Sequence, residues 1–190
     1  MSASPHTFLF ADLVGFTALA ELEGDNRALA VALELQRRTA RLLRGHEAEQ
    51  VKSTGDGLML RCTRPAAAVA LGLRVIEVMD EAGLPPVRVG IHTGPALRSE
   101  DDWYGRTVNV AARLCTVAPP GQVLVSEATR AAAGRIPNVE FGGRELHWLR
   151  NVSEPIGTHV ARPRRDIGAA VGGRIAQALR WRPGTPEAIA

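Results

Sequence analysis

Apolar residues crowd the segment from Thr7 to Val14 (Thr-Phe-Leu-Phe-Ala-Asp-Leu-Val), which predicts a buried strand with one carboxylate, Asp12, near its C-terminal end. Leu29, Leu33, Leu35 and Leu42 then recur at mostly helical spacing. They predict a long helix to about Arg44, capped by Asp25 or Asn26 and ended by Gly45. Gln50–Ser53 and Gly57–Cys62 read as short strands around the turn Thr54-Gly55-Asp56-Gly57, a hairpin. Pro65 opens a second helix, rich in alanine and leucine, that ends by Gly83. Val87–His92 alternates as a strand, a loop follows, and a third helix runs from about Thr107 to Val117. Gln122–Val125 predicts a strand, with Ser126 as the cap of a short helix and Glu127 in its first turn. Two or three more strands fall between Val139 and Val160. Strands and helices alternating with hairpins predict an α+β fold, an α/β sandwich whose sheet is covered by helices on one side.

Composition narrows the picture. The 190 residues are 45% hydrophobic and 23% charged, enough for one domain with a real core. No apolar run approaches the ~18–20 residues that cross a bilayer, and the first residues lack a signal-peptide pattern, so the expectation is a cytoplasmic protein. Cys62 and Cys115 lack metal-ligand spacing and read as free buried thiols. The six arginines from Arg162 onward face only Asp166 and Glu187. Residues 162–190 therefore carry +4 and residues 1–161 carry −1 of the overall +3. A near-neutral domain at 1–161 has no basic face for nucleic acid. The tail, 162–190, is basic and rich in Arg, Gly and Ala; Ile167, Val171, Ile175 and Leu179 recur every four residues, as in a short helix. Only one of the 23 cationic residues is lysine, Lys52. A compact ammonium is chemically distinct from the guanidinium used everywhere else.

Asp12 is a carboxylate flanked by Phe10, Ala11, Leu13 and Val14, so it needs a partner or a metal. Asp56 alone would be an ordinary turn residue. If the first strand lies beside the hairpin, the two carboxylates meet at one sheet edge, an oxygen-donor pair of the kind Mg²⁺ uses together with substrate phosphates. The glycine-containing turn Leu13-Val14-Gly15-Phe16-Thr17 has backbone N–H groups suited to a polyphosphate. Asn109 and Arg113, four apart, project from one helix face. His92 reads as a packed or hydrogen-bonded core residue. Trp103 and Tyr104 are candidates for the mouth of the site, and Trp148 and Trp181 for packing.

Four blocks in order carry a family resemblance. Phe10-Ala11-Asp12-Leu13-Val14-Gly15-Phe16-Thr17, Val51-Lys52-Ser53-Thr54-Gly55-Asp56-Gly57, Val89-Gly90-Ile91-His92-Thr93-Gly94 and Asp102-Trp103-Tyr104-Gly105-Arg106-Thr107-Val108-Asn109-Val110-Ala111-Ala112-Arg113 resemble the motifs of class III adenylyl and guanylyl cyclases. A weaker likeness continues through Leu149–Pro155, so the resemblance covers roughly residues 7–160. It implies a ferredoxin-like core and conversion of ATP to 3′,5′-cyclic AMP and pyrophosphate. Asp12, the Leu13 carbonyl and Asp56 would hold two Mg²⁺ or Mn²⁺ ions. Val14, Gly15, Phe16 and Thr17 would cradle phosphates. Lys52 and Asp102 would read adenine N1 and N6; Asp102 rather than Asp101 fits by its spacing to Gly105 and Asn109. Asn109 would position the ribose, and Arg113 would neutralise charge on the α-phosphate. The resemblance further implies a head-to-tail homodimer with shared sites. Two alternatives stay open: a nucleotide-binding regulatory domain without turnover, and a cyclase of GTP or a pyrimidine triphosphate.

Overall fold

The computed structural model describes residues 5–164. The tail helix expected around Ile167–Leu179, and Trp181, lie outside the described residues. The chain begins with β1 (Pro5–Leu13), α1 (Phe16–Glu23), α2 (Asp25–Leu43), β2 (Ala48–Ser53), β3 (Gly57–Cys62) and α3 (Pro65–Glu81). It continues with β4 (Val87–Pro95), β5 (Leu97–Ser99), β6 (Asp102–Tyr104), α4 (Arg106–Val117) and β7 (Val123–Ser126). The last elements are α5 (Glu127–Ala133), β8 (Val139–Phe141), β9 (Glu145–His147) and β10 (Ile156–Pro163).

Seven strands run in the order β2-β3-β1-β4-β7-β10-β8, with β9 also on β10. The β4–β7 pair is parallel, and the other neighbours are antiparallel. β1 is central because Leu9, Ala11 and Leu13 point to one face while Phe8 and Phe10 point to the other, the period-2 geometry of a strand buried on both sides. The first face packs on α2, α3 and α5 through Leu35, Val69, Leu71, Val75, Val89 and Ile91. The second is covered by α4, with Val108 and Ala111 against Phe8 and Met59. Helices therefore flank both faces, not one. The alternation visible in β1 is the reason: with Phe8 and Phe10 on the second face, that face also needs a cover.

The predicted elements appear with small shifts. A 3-10 turn at Arg44–His46 extends the end of the long helix past Gly45. Leu29 and Leu33 are 56% and 51% exposed, so the buried stripe of α2 is instead Ala28, Val31, Ala32, Leu35 and Thr39. Small residues on that stripe let α2 lie close to the core, and the larger leucines project outward. Trp148, expected to pack, is 75% exposed. The segment read as a loop after β4 contains a second, two-stranded sheet, β5–β6. Its strands are three residues each, too short for a visible alternation.

α4 sits where it does because β4 has no side chain at Gly90. A Cβ there would lie 2.0 Å from the Cys115 backbone nitrogen and 2.6 Å from its Cα. Gly90→Ala is therefore expected to cost more than about 3 kcal/mol, since backbone cannot yield as a side chain can. Thermal unfolding followed by circular dichroism checks it, and a melting temperature equal to the parent protein's would contradict the packing described.

A chain of hydroxyls ties α5 to the sheet. Thr7 and Thr93 lie 3.1 Å apart, Thr93 donates to Thr129, and Ser126 caps α5 by accepting the Thr129 N–H. His92 Nδ1 meets the Ser126 hydroxyl at 2.7 Å, which bears out its reading as a hydrogen-bonded residue. Burial, and then the nearby Arg106 charge, push His92 down to about 4. An unfolded histidine titrates near ~6.5. Neutral His92 thus contributes stability that is complete above ~6.5 and is lost as pH falls through about 4, because only the unfolded chain takes up the proton in between. The urea midpoint should fall between pH 7 and pH 5, and His92→Gln should flatten that slope.

Candidate active site

The β1–β3 register aligns Asp12 with Gly57, directly after Asp56 in the turn. The Leu13 N–H donates to the Asp56 carbonyl at 3.2 Å, closing the turn on the strand. A Cβ on Gly57 would lie 2.8 Å from the Thr54 hydroxyl, 2.9 Å from the Ala11 carbonyl and 3.1 Å from Asp12 Oδ1, so only glycine leaves this corner open. The carboxyl of Asp56 is raised above the ordinary carboxylate range by burial and then by the charge of Asp12. β1 does lie beside the hairpin, the condition under which the two carboxylates were expected to meet, and they lie close enough for the Asp12 charge to act on Asp56.

Asp12 already has a cation. Arg88 on β4, its register partner, donates from Nε at 2.8 Å and from Nη2 at 2.6 Å to Oδ2, and its Nη1 donates to the Thr116 carbonyl at 3.1 Å. Sequence reasoning missed Arg88. The available signal was a guanidinium between Val87 and Val89 in an apolar strand; its target needed the β1–β4 register. Two hard anionic donors and a corner kept free by glycine fit a divalent cation, with Arg88 as the competing positive group on Asp12 Oδ2. Among the described residues no cluster of three or more His, Cys, Asp or Glu exists, so protein ligands would be few.

The proposed phosphate cradle is narrower than expected. Leu13 and Val14 N–H groups are used by the Asp56 and Pro86 carbonyls, at 3.2 and 2.9 Å. Both lie where β1 still makes sheet-edge and loop contacts, so neither donor is free. Gly15, at φ 75°, turns the chain into α1 without a capping side chain, which leaves the first-turn N–H groups at Phe16 and Thr17 open.

Lys52 and Asp102, fifty positions apart, form an ion pair at 2.5 Å. A β-bulge makes this possible. Glu49 pairs with Arg61 and Gln50 with Leu60, but Lys52 pairs with Met59, leaving Val51 as the extra residue. Regular alternation would point Lys52 to the α2–α3 face with Leu58; the bulge re-aims it to the α4 face, where β6 carries Asp102. The Asp102 carboxyl is lowered by the Lys52 hydrogen bond and then by the Trp103 backbone N–H at 2.8 Å. Asp101, by contrast, is fully exposed, with Arg98 at 4.0 Å.

Asn109 and Arg113 share a cleft of about 500 Å³ with Gly105, Arg106, Asn151, Val152 and Ser153. No acidic side chain lines it, so it is receptive to anions. Among the described residues no hydrogen bond or ion pair links the Asp12–Asp56 corner, the Lys52–Asp102 pair and this cleft to one another. Trp103, a candidate for the mouth, is instead buried, and Tyr104 is 53% exposed.

The sequence model for the adenylate and guanylate cyclase catalytic domain matches residues 2–147. The chain belongs to that family. Among its curated relatives are a pH-sensitive adenylate cyclase of Mycobacterium tuberculosis, 38% identical over 76% of this chain and 38% of that protein, and an adenylate cyclase of Streptomyces griseus, 35% identical over 63% and 30%. The chain thus spans only about a third of the length of these relatives. Adenylate cyclases of Trypanosoma brucei, solved in their monomeric state, superpose with a TM-score of 0.72 at 25% identity, covering 84% of this chain and 88% of theirs. No helix among the described residues is long and apolar enough to cross a membrane.

The two carboxylates predict a specific response to losing their internal cation. Arg88→Gln leaves Asp12 and Asp56 without their positive neighbour, so stability in metal-free buffer, read from the melting temperature, should drop by about 1 kcal/mol. Added Mn²⁺ should then raise it more than it raises the parent protein's. Equal Mn²⁺ shifts in both would mean that Arg88 does not offset charge in this corner.

Proposed function

We infer that this chain is the catalytic unit of an adenylate cyclase, forming 3′,5′-cyclic AMP and pyrophosphate from ATP in the cytoplasm. The observation that carries this reading is the Lys52–Asp102 pair, a donor beside an acceptor on one face of the sheet. Adenine presents an acceptor at N1 and a donor at N6; guanine presents the opposite pattern, and a buried mismatch leaves polar groups unpaired.

The reaction is an in-line displacement. The ribose 3′-oxygen attacks the α-phosphorus, the bond to the bridging oxygen breaks, pyrophosphate leaves, and the hydroxyl proton passes to solvent. Asp12, the Leu13 carbonyl and Asp56 are the residues to hold two Mg²⁺ or Mn²⁺ ions. Such ions would lower the pKa of the 3′-hydroxyl and neutralise the triphosphate. The first-turn N–H groups of α1 face phosphate oxygens. Lys52 and Asp102 orient the base, Asn109 holds the ribose, and Arg113 stabilises charge on the α-phosphate as the pentacoordinate state forms.

Two copies arranged head to tail bring these groups together. The absence of any hydrogen bond or ion pair between the carboxylate corner and the Asn109–Arg113 cleft among the described residues is in keeping with this reading, in which one copy supplies the carboxylates and the other supplies Lys52, Asp102 and the cleft.

Incubation with Mn²⁺ and equimolar ATP, GTP, CTP and UTP, followed by mass spectrometry, should give cyclic AMP as the dominant product. Asp56→Asn and Arg113→Ala should each lose at least about 100-fold in kcat. Mixing the two inactive variants should restore activity through composite sites. Nucleotide binding without any cyclic product would overturn the reading in favour of a regulatory domain, and failure of the mixture would overturn the shared sites.

A further inference from the structure

Asp102 stands on a hairpin that has little to hold it. β5 and β6 are three residues each, and a two-stranded ribbon is marginal by itself. Leu97, Arg98, Ser99 and Tyr104 are exposed. Trp103 is the one residue of these two strands that enters the core, at 8% exposure.

Its indole meets a built socket. Phe8 presents its ring at 5.7 Å between centroids and 61°, edge to face. His6 lies at 4.3 Å, and the Arg61 guanidinium carbon sits 4.8 Å from the indole centroid. Arg61 is itself fixed: Nε and Nη2 both approach His6 Nδ1 at 3.2 Å, and Nη1 donates to Glu49 at 3.1 Å. His6, Phe8 and Arg61 share the α4 face because Phe8 pairs with Arg61 across β1–β3. The same tryptophan donates its backbone N–H to Asp102 Oδ1, which leaves Oδ2 for Lys52. The acceptor that faces the base is thus set by an aromatic plug one residue away.

We propose that the Arg61–Trp103–His6 stack is the positioning element for base selection, holding the β5–β6 hairpin so that Asp102 stands opposite Lys52. Arg61, Trp103 and His6 touch no substrate and act through Asp102. Loosening the stack lets the hairpin shift, so the donor–acceptor match to adenine weakens while the carboxylate corner and the Asn109–Arg113 cleft are untouched. The inference rests on Lys52 and Asp102 reading the base.

The test compares kcat and KM for ATP and GTP, and the affinities of non-cyclisable ATP and GTP analogues by calorimetry, in the parent dimer, Arg61→Gln, Arg61→Lys, Trp103→Phe and Trp103→Leu. Arg61→Gln should lower the ATP-over-GTP preference about tenfold, the scale of a desolvated cation–π contact. The change should appear in KM for ATP and in analogue affinity, with kcat retained. Arg61→Lys keeps a cation over the indole and should recover part of the preference. Trp103→Leu should lose more. If it unfolds, Arg61→Gln still decides the matter, and Trp103→Phe, which keeps an aromatic plug, should retain more of the preference than Arg61→Gln. A folded Arg61→Gln variant with an unchanged base preference would overturn the proposal, as would a fall in kcat for both nucleotides without a change in preference. A parent protein that does not distinguish the bases would instead remove the Lys52–Asp102 reading beneath it.

Discussion

The functional face depends on the close approach of α4 to the middle of the sheet. At Gly90 the helix backbone rests on bare strand, with Cys115 and Leu114 where a side chain would otherwise stand. That contact lets Val108 and Ala111 reach Phe8 and Met59 and closes the second hydrophobic layer. It also brings the Thr116 carbonyl to Arg88 and presents Asn109 and Arg113 toward the cleft. A helix held a few ångströms farther out would leave the layer unfilled and move every polar group it carries.

Opposite charges are set in pairs on this framework. Asp12 with Arg88 and Lys52 with Asp102 are partly exposed, so neither carries the fold by Coulombic attraction. Their value is geometric. Each pair keeps a charged group at a defined position on a rigid strand or on a hairpin anchored to one. The carboxylate corner goes further, since burial and mutual repulsion make two nearby anions unfavourable unless a cation shares them. Glycine at position 57 keeps the corner open, and the bulge at Val51 turns the only lysine to the face where it has a partner.

Support therefore comes from apolar and aromatic packing, and chemistry from the polar groups that packing holds. Trp103 illustrates the division most plainly: its ring contributes burial, while its backbone N–H orients the adjacent carboxylate. Residues far from any substrate atom can in this way set the precision of a site, because a displacement of about 1 Å is enough to weaken oriented hydrogen bonds.

Much was determined by the sequence alone. The strand bearing Asp12, the GDG hairpin, the helix bearing Asn109 and Arg113 and the Ser126 cap all follow from local periodicity and turn chemistry, and each occurs as expected. The meeting of Asp12 with Asp56 was legible only as a condition, because it needed the β1–β3 pairing that local pattern does not report. What only the tertiary structure decided is long-range: the partnership of Arg88 with Asp12, helices on both sheet faces, the exposure of Leu29, Leu33 and Trp148, and the use of the Leu13 and Val14 N–H groups. The bulge that re-aims Lys52 and the stack that seats Trp103 belong with these. Local pattern reports which residues one element can bury; strand register and cross-sheet packing decide which residue from elsewhere they meet.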